Sequence, residues 1–519
     1  MSINLPINES ASLASTSHGF DFIDLELVKP ESDALALAPG DFAVKNKVLP
    51  IRLEGETLVV AIGSPAALQA ADDLGVLTGR AVLPVLADPQ MIKDKIDEIF
   101  LQKLLQGLAG DDDATNIEEI SDLGDLTRMA DDSQVVGMVN AIFAQAVRDR
   151  ASDIHIEPYE REVKVRYRID GMLHELMRPP KRLHNAIVSR LKILGEMNIA
   201  ERRLPQDGRI KLNLGGRAID VRVSIVPTGF GERAVMRILD KSTAMLSLEE
   251  LGFGADVLER YRKLITIPYG IILATGPTGA GKSTTLYASL QEIYSPHTNI
   301  LTIEDPVEYQ VPGISQIQVR ANIGLTFANG LRSFLRQDPD VIMVGEIRDH
   351  ETGEIAIHAA LTGHVVFSTL HTNDAAGAVT RLVDMGLEPF LVASSLSGVV
   401  AQRLVRRVCS NCAEPFTYEP EALRAIGIDP DEKANFMKGR GCERCSGTGY
   451  RGRVGLYELF LVDEAVRRMT VERAPSSALK DHAVQNQGMR TLIGDGRIAV
   501  MNGKTTPAEV MRVSQREDI

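Results

Sequence analysis

Tryptophan is absent from this sequence, and aromatic residues make up only 5% of its 519 positions. Proteins that bind single-stranded nucleic acid stack the bases on aromatic side chains, so that class is disfavoured. Positive charge is also scarce, because 57 Lys and Arg face 70 Asp and Glu and the formal net charge is -13. So acidic a chain is a poor general binder of phosphate backbones. We therefore expect no nucleic acid among its partners.

Long apolar runs are scarce as well. The longest uncharged stretches, 264–281 and 355–373, are interrupted by Gly and Pro or carry three His, which indicates buried strands and turns. Residues 1–18 lack the basic start and the apolar core of a signal peptide. We therefore expect a cytoplasmic protein that is peripheral to a membrane only through partners.

Composition divides the chain into successive parts. Hydrophobic residues make up 44% and charged residues 24%, as in ordinary globular proteins. At roughly 100–200 residues per domain, this length corresponds to about three or four domains. We predict a flexible N-terminus at 1–19, a partner-docking domain at 20–108, an acidic linker at 109–132, a second domain at 133–240, a linker at 241–247 and a motor domain at 248–519.

Two strand patterns indicate the fold class. In the second domain, apolar residues alternate with charged ones before Asp170-Gly171, and Gly215-Gly216 precedes another alternating run, which predicts two hairpins. In the last domain, short uninterrupted apolar runs alternate with helical segments, which predicts a mainly parallel sheet covered on both faces. The runs are 270–275, 300–303, 341–344 and 365–370. The predicted fold is an α/β motor domain preceded by two smaller α+β domains.

The strongest motif runs from Gly276 to Ser283 and fits GxxxxGK[ST], with a predicted strand before it and a predicted helix, 282–294, after it. Glycines allow backbone N–H groups to converge on phosphate oxygens, and the helix N-terminus adds partial positive charge. Lys282 is expected to reach the β- and γ-phosphates of ATP, and Ser283 to bind Mg²⁺. The predicted nucleotide-binding residues are Gly276, Pro277, Thr278, Gly279, Ala280, Gly281, Lys282, Ser283 and Thr284.

A phosphate-binding loop alone does not distinguish kinases, GTPases and motors, so acidic strand ends are more informative. Glu346 follows an apolar run, and at the carboxyl end of a neighbouring parallel strand it would polarise the attacking water. Glu304 ends another run, and Glu308 follows it; both are candidates to hold or order Mg²⁺. The plainer alternative is that these acids lie in solvated helix N-termini.

Two histidines flank the predicted strand 365–370, with His364 before it and His371 after it. A lone histidine is usually structural. This pair belongs to a strand in the predicted nucleotide-binding sheet, so we predict that both lie near the γ-phosphate and take part in catalysis.

The four cysteines form two C-x2-C pairs, Cys409 and Cys412, then Cys442 and Cys445, separated by 29 residues. Two such pairs supply four thiolates to a tetrahedral Zn²⁺, and with no open ligand position the site is structural. Disulfides are disfavoured in a cytosolic chain. We predict a zinc subdomain at 405–450 within the motor domain, with a small projecting insertion between the pairs.

Four motifs taken together resemble the Walker A, Asp box, Walker B and His box of secretion ATPases. They are GPTGAGKST (276–284), TIEDPVEY (302–309), RQDPDVIMVGEIRD (336–349) and LTGHVVFSTLHTN (361–373). SDIHIEP (152–158) and LPQDGRI (204–210) are similar to the second N-terminal domain of that family. The sequence most resembles the type II secretion ATPases (the general secretory pathway protein E family) and is almost as similar to the type IV pilus extension ATPases.

The resemblance implies a hexameric ATPase with a RecA-like motor domain. It assigns Glu346 as the catalytic glutamate, Lys282 and Ser283 to phosphate and Mg²⁺, and Glu304 and Glu308 to the acids of the Asp box. His364 and His371 match the His box. The implied partners are an inner-membrane secretion platform, namely the cytoplasmic domain of the bitopic L-type protein and the polytopic F-type protein.

Arginines outside the motor domain form a further group of candidates. Arg222 and Arg237 alternate with apolar residues, so they point away from the apolar face of their strands, which is usually the fate of a half-exposed polar residue. Both match arginines that the family uses at the nucleotide, where a guanidinium stabilises the transferring phosphoryl group. Arg332, Arg336 and Arg348 are additional candidates near the phosphates, and Arg209 is a weaker one.

The sequence therefore predicts an ATPase that powers pseudopilus assembly in type II secretion. A type IV pilus extension motor is the alternative. Such motors often carry a longer N-terminal region with a cyclic-di-GMP motif of the RLG…L…Q kind, whereas this sequence has about 19 residues before Phe20 and shows no such motif. Other classes are a nucleic-acid translocase, disfavoured by composition, and a non-hydrolysing scaffold, disfavoured by Lys282 and Glu346.

Overall fold

The computed structural model describes residues 20–99 with short gaps, 133–214, 217–240 and 246–514. The gaps in the first range are 26–27, 29, 39–41, 44–45, 90, 93–94 and 97–98. The predicted flexible N-terminus, the acidic linker and most of the second linker lie outside the described residues. The chain separates into two compact units, Met1–Ser242 and Thr243–Ile519.

The first part of the chain contains a three-stranded sheet in the order β1-β2-β3. β1 (Val48–Glu54) and β2 (Thr57–Ile62) are antiparallel, whereas β3 (Ala81–Leu86) is parallel to β2. Two of its helices are α1 (Ser32–Leu37) and α2 (Leu68–Thr78). Successive residues of β2 belong to two different apolar clusters, so both faces of this small sheet are covered.

The second sheet has six strands in the order β6-β5-β4-β9-β8-β7, and all neighbours are antiparallel. The strands are β4 (Asp153–Pro158), β5 (Val163–Ile169), β6 (Met172–Met177), β7 (Gln206–Leu214), β8 (Arg217–Thr228) and β9 (Gly231–Asp240). Helices α3 (Ser133–Arg148) and α4 (His184–Leu194) pack on the apolar face. The predicted hairpins are confirmed, although the turn at 215–216 lies outside the described residues.

The third sheet has seven strands in the order β12-β11-β13-β14-β10-β15-β18. Its strands are β10 (Gly270–Thr275), β11 (Ile300–Glu304), β12 (Ser315–Gln318), β13 (Val341–Val344), β14 (Val365–Leu370), β15 (Leu396–Val408) and β18 (Tyr450–Leu461). The neighbours from β12 to β15 are parallel, and β18 is antiparallel to β15. The predicted mainly parallel sheet is confirmed.

Helices cover both faces of this sheet, because alternate residues of each strand point to opposite sides. Ile271 and Leu273 belong to one apolar cluster, Ile272 and Ala274 to the other. The first helices are α5 (Ala255–Ile265) and α6 (Lys282–Ile293) on one face, with α7 (Phe327–Phe334), α8 (His350–Leu361) and α9 (Ala376–Asp384) on the other. The remaining helices are α10 (Pro389–Ser395), α11 (Pro420–Arg424), α12 (Glu464–Val471), α13 (Ser476–Gln487), α14 (Leu492–Met501) and α15 (Pro507–Val513).

The segment between β15 and β18 carries the cysteines. It contains the antiparallel strands β16 (Ala413–Pro415) and β17 (Met437–Gly439), together with α11. Leu423, Ile426 and Ile428 from this segment share an apolar cluster with Val500 and Val510 of the C-terminal helices. The prediction that this insertion projects is therefore wrong, because its apolar side chains are buried against α14 and α15.

Within the described residues, no helix is both long enough and apolar enough to cross a membrane.

Candidate nucleotide-binding and catalytic site

The GxxxxGK[ST] segment leaves the carboxyl end of β10 and enters α6, as the motif predicts. All three of its glycines have positive φ, at 145° for Gly276, 78° for Gly279 and 89° for Gly281. Gly276 also lies against β15, since a Cβ built on it would come 2.5 Å from the carbonyl oxygen of Gln402. The loop therefore needs glycine both for its backbone angles and for this close approach, and the resulting cradle fits a phosphate group.

Lys282 is buried at the first residue of α6. Its Nζ donates hydrogen bonds to the carbonyl oxygens of Gly276, at 2.7 Å, and Pro277, at 3.2 Å. Burial lowers the pKa of Lys282 to about 8; the Glu346 carboxylate opposes this change and the Arg403 guanidinium reinforces it. The ammonium group thus lies over the loop with an acid and an arginine nearby, which is the position for contacting the terminal phosphates of a nucleotide.

Glu346 follows β13, two residues after its last residue, and is 9% exposed. Its carboxylate forms an ion pair with Arg348 Nη2 at 2.5 Å, and its other oxygen lies 3.5 Å from Nε2 of His371. His371 directly follows β14, the parallel neighbour of β13, so the carboxyl ends of the two strands bring the side chains together. Glu346 raises the pKa of Arg348 through their hydrogen bond. The structure therefore assembles Lys282, Glu346, Arg348 and His371 at one sheet edge.

His364 directly precedes β14, so it lies at the amino end of the parallel strands, opposite the end that carries His371. Gly270, the first residue of β10, pairs with Val365, and its N–H donates to the carbonyl oxygen of His364. The strand that separates His364 from His371 has six residues and spans about 20 Å at roughly 3.3 Å per residue. The His364 ring instead contacts the carbonyl oxygen of Ala359 through Nδ1 at 2.8 Å. The prediction that His364 acts near the γ-phosphate bound by its own chain is therefore wrong.

Glu304 ends β11 and is buried, with its carboxylate held by three internal donors. They are the hydroxyl of Tyr287 on α6, the Thr302 hydroxyl at 2.5 Å and the Gln316 amide at 3.1 Å. This carboxylate raises the pKa of Tyr287, although burial of the phenol is the larger cause. These contacts favour a role in fixing β11 to the phosphate-binding helix over direct ligation of Mg²⁺. Glu308 follows, half-buried, and its role stays a prediction.

Two residues of β15 contribute to the site and were not predicted. The side-chain amide oxygen of Gln402 accepts a hydrogen bond from the Thr285 hydroxyl on α6 at 2.7 Å. The backbone carbonyl oxygen of Gln402 packs against Gly276. Arg403 donates through Nη2 to the carbonyl oxygen of Asn373 at 2.9 Å, two residues after His371. These contacts link the phosphate-binding loop to the loop of His371. Nothing in the local spacing of β15 distinguishes them, because their partners lie 30 or more positions away.

Of the two further arginines that were predicted near the phosphates, Arg332 stays a prediction, whereas Arg336 lies elsewhere. Arg332 on α7 forms an ion pair with Glu351 at 2.7 Å. Arg336 donates to the carbonyl oxygen of Arg332, and the next residue, Gln337, is bonded to Asn299, which precedes β11. This end of β11 is the amino edge of the sheet, so the prediction for Arg336 is wrong, whereas Arg348 lies at the predicted edge.

Arg222 and Arg237 are in the first compact unit, directly opposite each other on β8 and β9. Arg209 on β7 is the next residue across from Arg222. The side chains alternate with buried Val221, Val223 and Met236, so the predicted orientation away from the core is confirmed. Their role at the nucleotide stays a prediction.

The four cysteines converge as predicted. Their Sγ atoms all lie within 4.8 Å of one another, with three pairs at 3.7, 3.8 and 3.9 Å. Four thiolates around a tetrahedral Zn²⁺ at about 2.3 Å are about 3.8 Å apart, so the arrangement fits the ion. Cys445 Sγ also accepts hydrogen bonds from the backbone N–H groups of Cys442 and Gly449, both at 3.2 Å, and Cys442 Sγ accepts one from Asn411 Nδ2 at 3.4 Å. Both features suit thiolates rather than a disulfide.

Comparisons with known proteins show two families that the chain matches. A family model described as "Type II/IV secretion system protein" matches residues 128–512, and one described as "MshEN domain" matches residues 18–104. The chain is 46% identical over 506 residues to the type IV pilus assembly ATPase PilB of Myxococcus xanthus, which covers 96% of this chain and 89% of that protein. It is 49% identical over 409 residues to the type II secretion system ATPase E of Vibrio cholerae, covering 79% and 81%.

Among solved structures, the X-ray structure of the Legionella pneumophila ATPase DotB has a TM-score of 0.52 and 22% identity, covering 72% of this chain and 94% of that one. This similarity supports the fold prediction, in which the motor domain is RecA-like.

Proposed function

The chain belongs to the type II/IV secretion system protein family and is a P-loop ATPase, and we propose that it powers pseudopilus assembly in a type II secretion system. The observation that carries the proposal is the edge where Lys282, Glu346 and His371 meet, in a chain 49% identical to a type II secretion system ATPase. By the resemblance to that family, the protein works at the cytoplasmic side of an inner membrane, through platform partners of the L and F types.

Assembly of a type IV pilus is the second candidate, favoured by the 46% identity to PilB over 96% of this chain. A strain deleted for the gene separates the two. We expect loss of protein secretion with surface pili retained, rescued by the wild-type gene and not by Lys282→Ala. Loss of pili with normal secretion would replace the first candidate by the second.

At the site, the family implies ATP and Mg²⁺. Backbone N–H groups of the loop and Lys282 would hold the phosphates, Ser283 would ligate Mg²⁺, and Glu346 would orient the attacking water. We expect Lys282→Ala to abolish nucleotide binding and Glu346→Gln to preserve binding while stopping turnover, since only the first residue contacts phosphate in the ground state. Near wild-type kcat for Glu346→Gln in the oligomeric protein would contradict the assignment of the base.

We also propose that the active form is a hexameric ring, in which Arg222 and Arg237 stabilise the transferring phosphoryl group. Such arginines are worth about 10³–10⁵ in kcat where they are essential. The two residues belong to a different compact unit from Lys282, so a variable placement of the units would make turnover depend on assembly. We expect kcat to rise with oligomerisation. A kcat that stays constant from monomer to oligomer, and in Arg222→Ala and Arg237→Ala variants, would refute this part of the proposal.

The tetracysteine cluster is proposed to bind one structural Zn²⁺. The sulfur spacing supports this assignment, and the burial of three of the four cysteines leaves little access for a substrate. The ion would join the two ends of the insertion between β15 and β18.

A further inference from the structure

A row of charged residues crosses the polar face of the six-stranded sheet. The row runs across β7, β8, β9 and β4, where Arg209 lies opposite Arg222, Arg222 opposite Arg237, and Arg237 opposite Asp153. On its other side, Asp153 lies opposite Arg168. Like charges directly opposite each other on a sheet repel, so a carboxylate in this row offsets a local excess of positive charge.

Asp153 is built into the sheet rather than exposed at its edge. The residue is only 6% exposed, and the Ser152 hydroxyl donates to its Oδ2 at 2.8 Å. Its Oδ1 accepts a hydrogen bond from Nε of Arg237 at 3.0 Å, while Nε of Arg168 lies 3.7 Å from Oδ2. A buried carboxylate held in this way has few alternative positions, so it is a firm anchor for a guanidinium.

The contact with Asp153 leaves the two terminal nitrogens of the Arg237 guanidinium, Nη1 and Nη2, available to a ligand. Only Nε donates a hydrogen bond to Asp153, and within the described part of the chain Nη1 and Nη2 of Arg237 form no hydrogen bond. The Arg237 side chain is 56% exposed. A guanidinium anchored at Nε and open at both terminal nitrogens can present its two parallel N–H groups to phosphate oxygens.

We infer that Asp153 is a positioning residue for Arg237: it holds the guanidinium by Nε, so that its terminal nitrogens meet the transferring phosphoryl group. This inference rests on the proposed role of Arg237. Asp153 contacts no substrate itself, and its effect on turnover passes entirely through the arginine.

A double-mutant cycle on the full-length, oligomeric protein tests the inference. We expect Asp153→Ala to lower kcat by about 10- to 100-fold, the effect of a misplacement near 1 Å, and Asp153→Asn to have a smaller effect because its amide oxygen still accepts from Nε. Nucleotide affinity should change less than twofold. In an Arg237→Ala background, Asp153→Ala should change kcat less than twofold, because the group that it positions is gone.

Glu157 provides the matched control. It is a buried acid on the same strand, paired with Arg166 at 2.6 Å and Arg233 at 2.7 Å, so Glu157→Gln should act independently of Arg237→Ala. If Asp153→Ala lowered kcat equally in the wild-type and Arg237→Ala backgrounds, the inference would be overturned. It would also be overturned if Asp153→Ala kept the wild-type kcat while Arg237→Ala lowered it. If Arg237→Ala itself retains wild-type kcat, the proposed role of Arg237 fails first. Asp153→Asn preserves the shape of the side chain, so the cycle can be repeated with it if the alanine variant does not fold.

Discussion

Gly276→Ala should separate nucleotide binding from folding more cleanly than any other change in the phosphate-binding loop. The φ of 145° belongs to a region that only glycine enters readily, and a non-glycine residue there costs about 1–3 kcal/mol. The new Cβ would also lie 2.5 Å from the Gln402 carbonyl oxygen, which is backbone and has no rotamer by which to move away. Overpacking of this kind costs about another 1–3 kcal/mol.

The sum is about 2–6 kcal/mol, and the protein avoids most of it by abandoning the loop conformation that the phosphates require. The cost should therefore appear in binding, as an affinity for Mg²⁺–ADP at least about 30-fold weaker at 1.4 kcal/mol per tenfold. Gly279→Ala is the matched control, because φ there is 78° and a Cβ meets nothing within 4 Å. Its cost is the left-handed backbone alone, about 1–2 kcal/mol.

Isothermal titration calorimetry with Mg²⁺–ADP measures both variants, and thermal unfolding checks that each remains folded. Gly276→Ala should bind at least about fivefold more weakly than Gly279→Ala, which corresponds to the overpacking cost of about 1 kcal/mol or more, and its melting temperature should stay close to that of the wild type. Binding of Gly276→Ala within threefold of wild type, or equal losses in the two variants, would refute the argument from the approach of β15.

Three other predictions follow from the site. His371→Asn should lower kcat at least tenfold, because the His371 ring lies beside Glu346. His364→Asn, at the other end of the same strand, should keep kcat within twofold of wild type. Equal steady-state rates for the two variants would contradict the assignment of His371 to the site. Metal analysis of the wild-type protein should find one zinc per chain. Cys442→Ser should lose the zinc and melt at a lower temperature while still binding ADP. Wild-type protein that is purified without chelators and contains no zinc would disprove the site. Because burial lowers the pKa of Lys282 to about 8 and bound phosphate favours its charged form, nucleotide affinity should fall as pH rises from 7 to 9, approaching tenfold per unit above the pKa. Calorimetry in buffers of different ionisation enthalpy should show proton uptake near pH 8, and an affinity that is constant over this range would count against the role of Lys282.

The sequence by itself determined the features that depend on neighbouring residues. The glycines and lysine of the phosphate-binding loop follow one another within a few positions, and the two C-x2-C pairs have metal-ligand spacing in any fold. The apolar runs that became β10, β11, β13 and β14 are buried on both faces, so their composition alone indicates a parallel sheet. The alternation around Arg222 and Arg237 likewise gave the face on which those side chains lie.

Only the tertiary structure decided which of these residues meet. His364 and His371 are equivalent in a motif, but a parallel strand carries them to opposite edges of the sheet, and only the order β13-β14-β10 places His371 beside Glu346. Glu304 looks like a metal ligand by its position at a strand end, yet contacts from α6 and β12 bury it. The approach of Gln402 to Gly276 and the anchoring of Arg237 by Asp153 join residues more than 80 positions apart. Strand order and register create such contacts, and neither can be read from local spacing, because each strand is compatible with several neighbours until the whole core is packed.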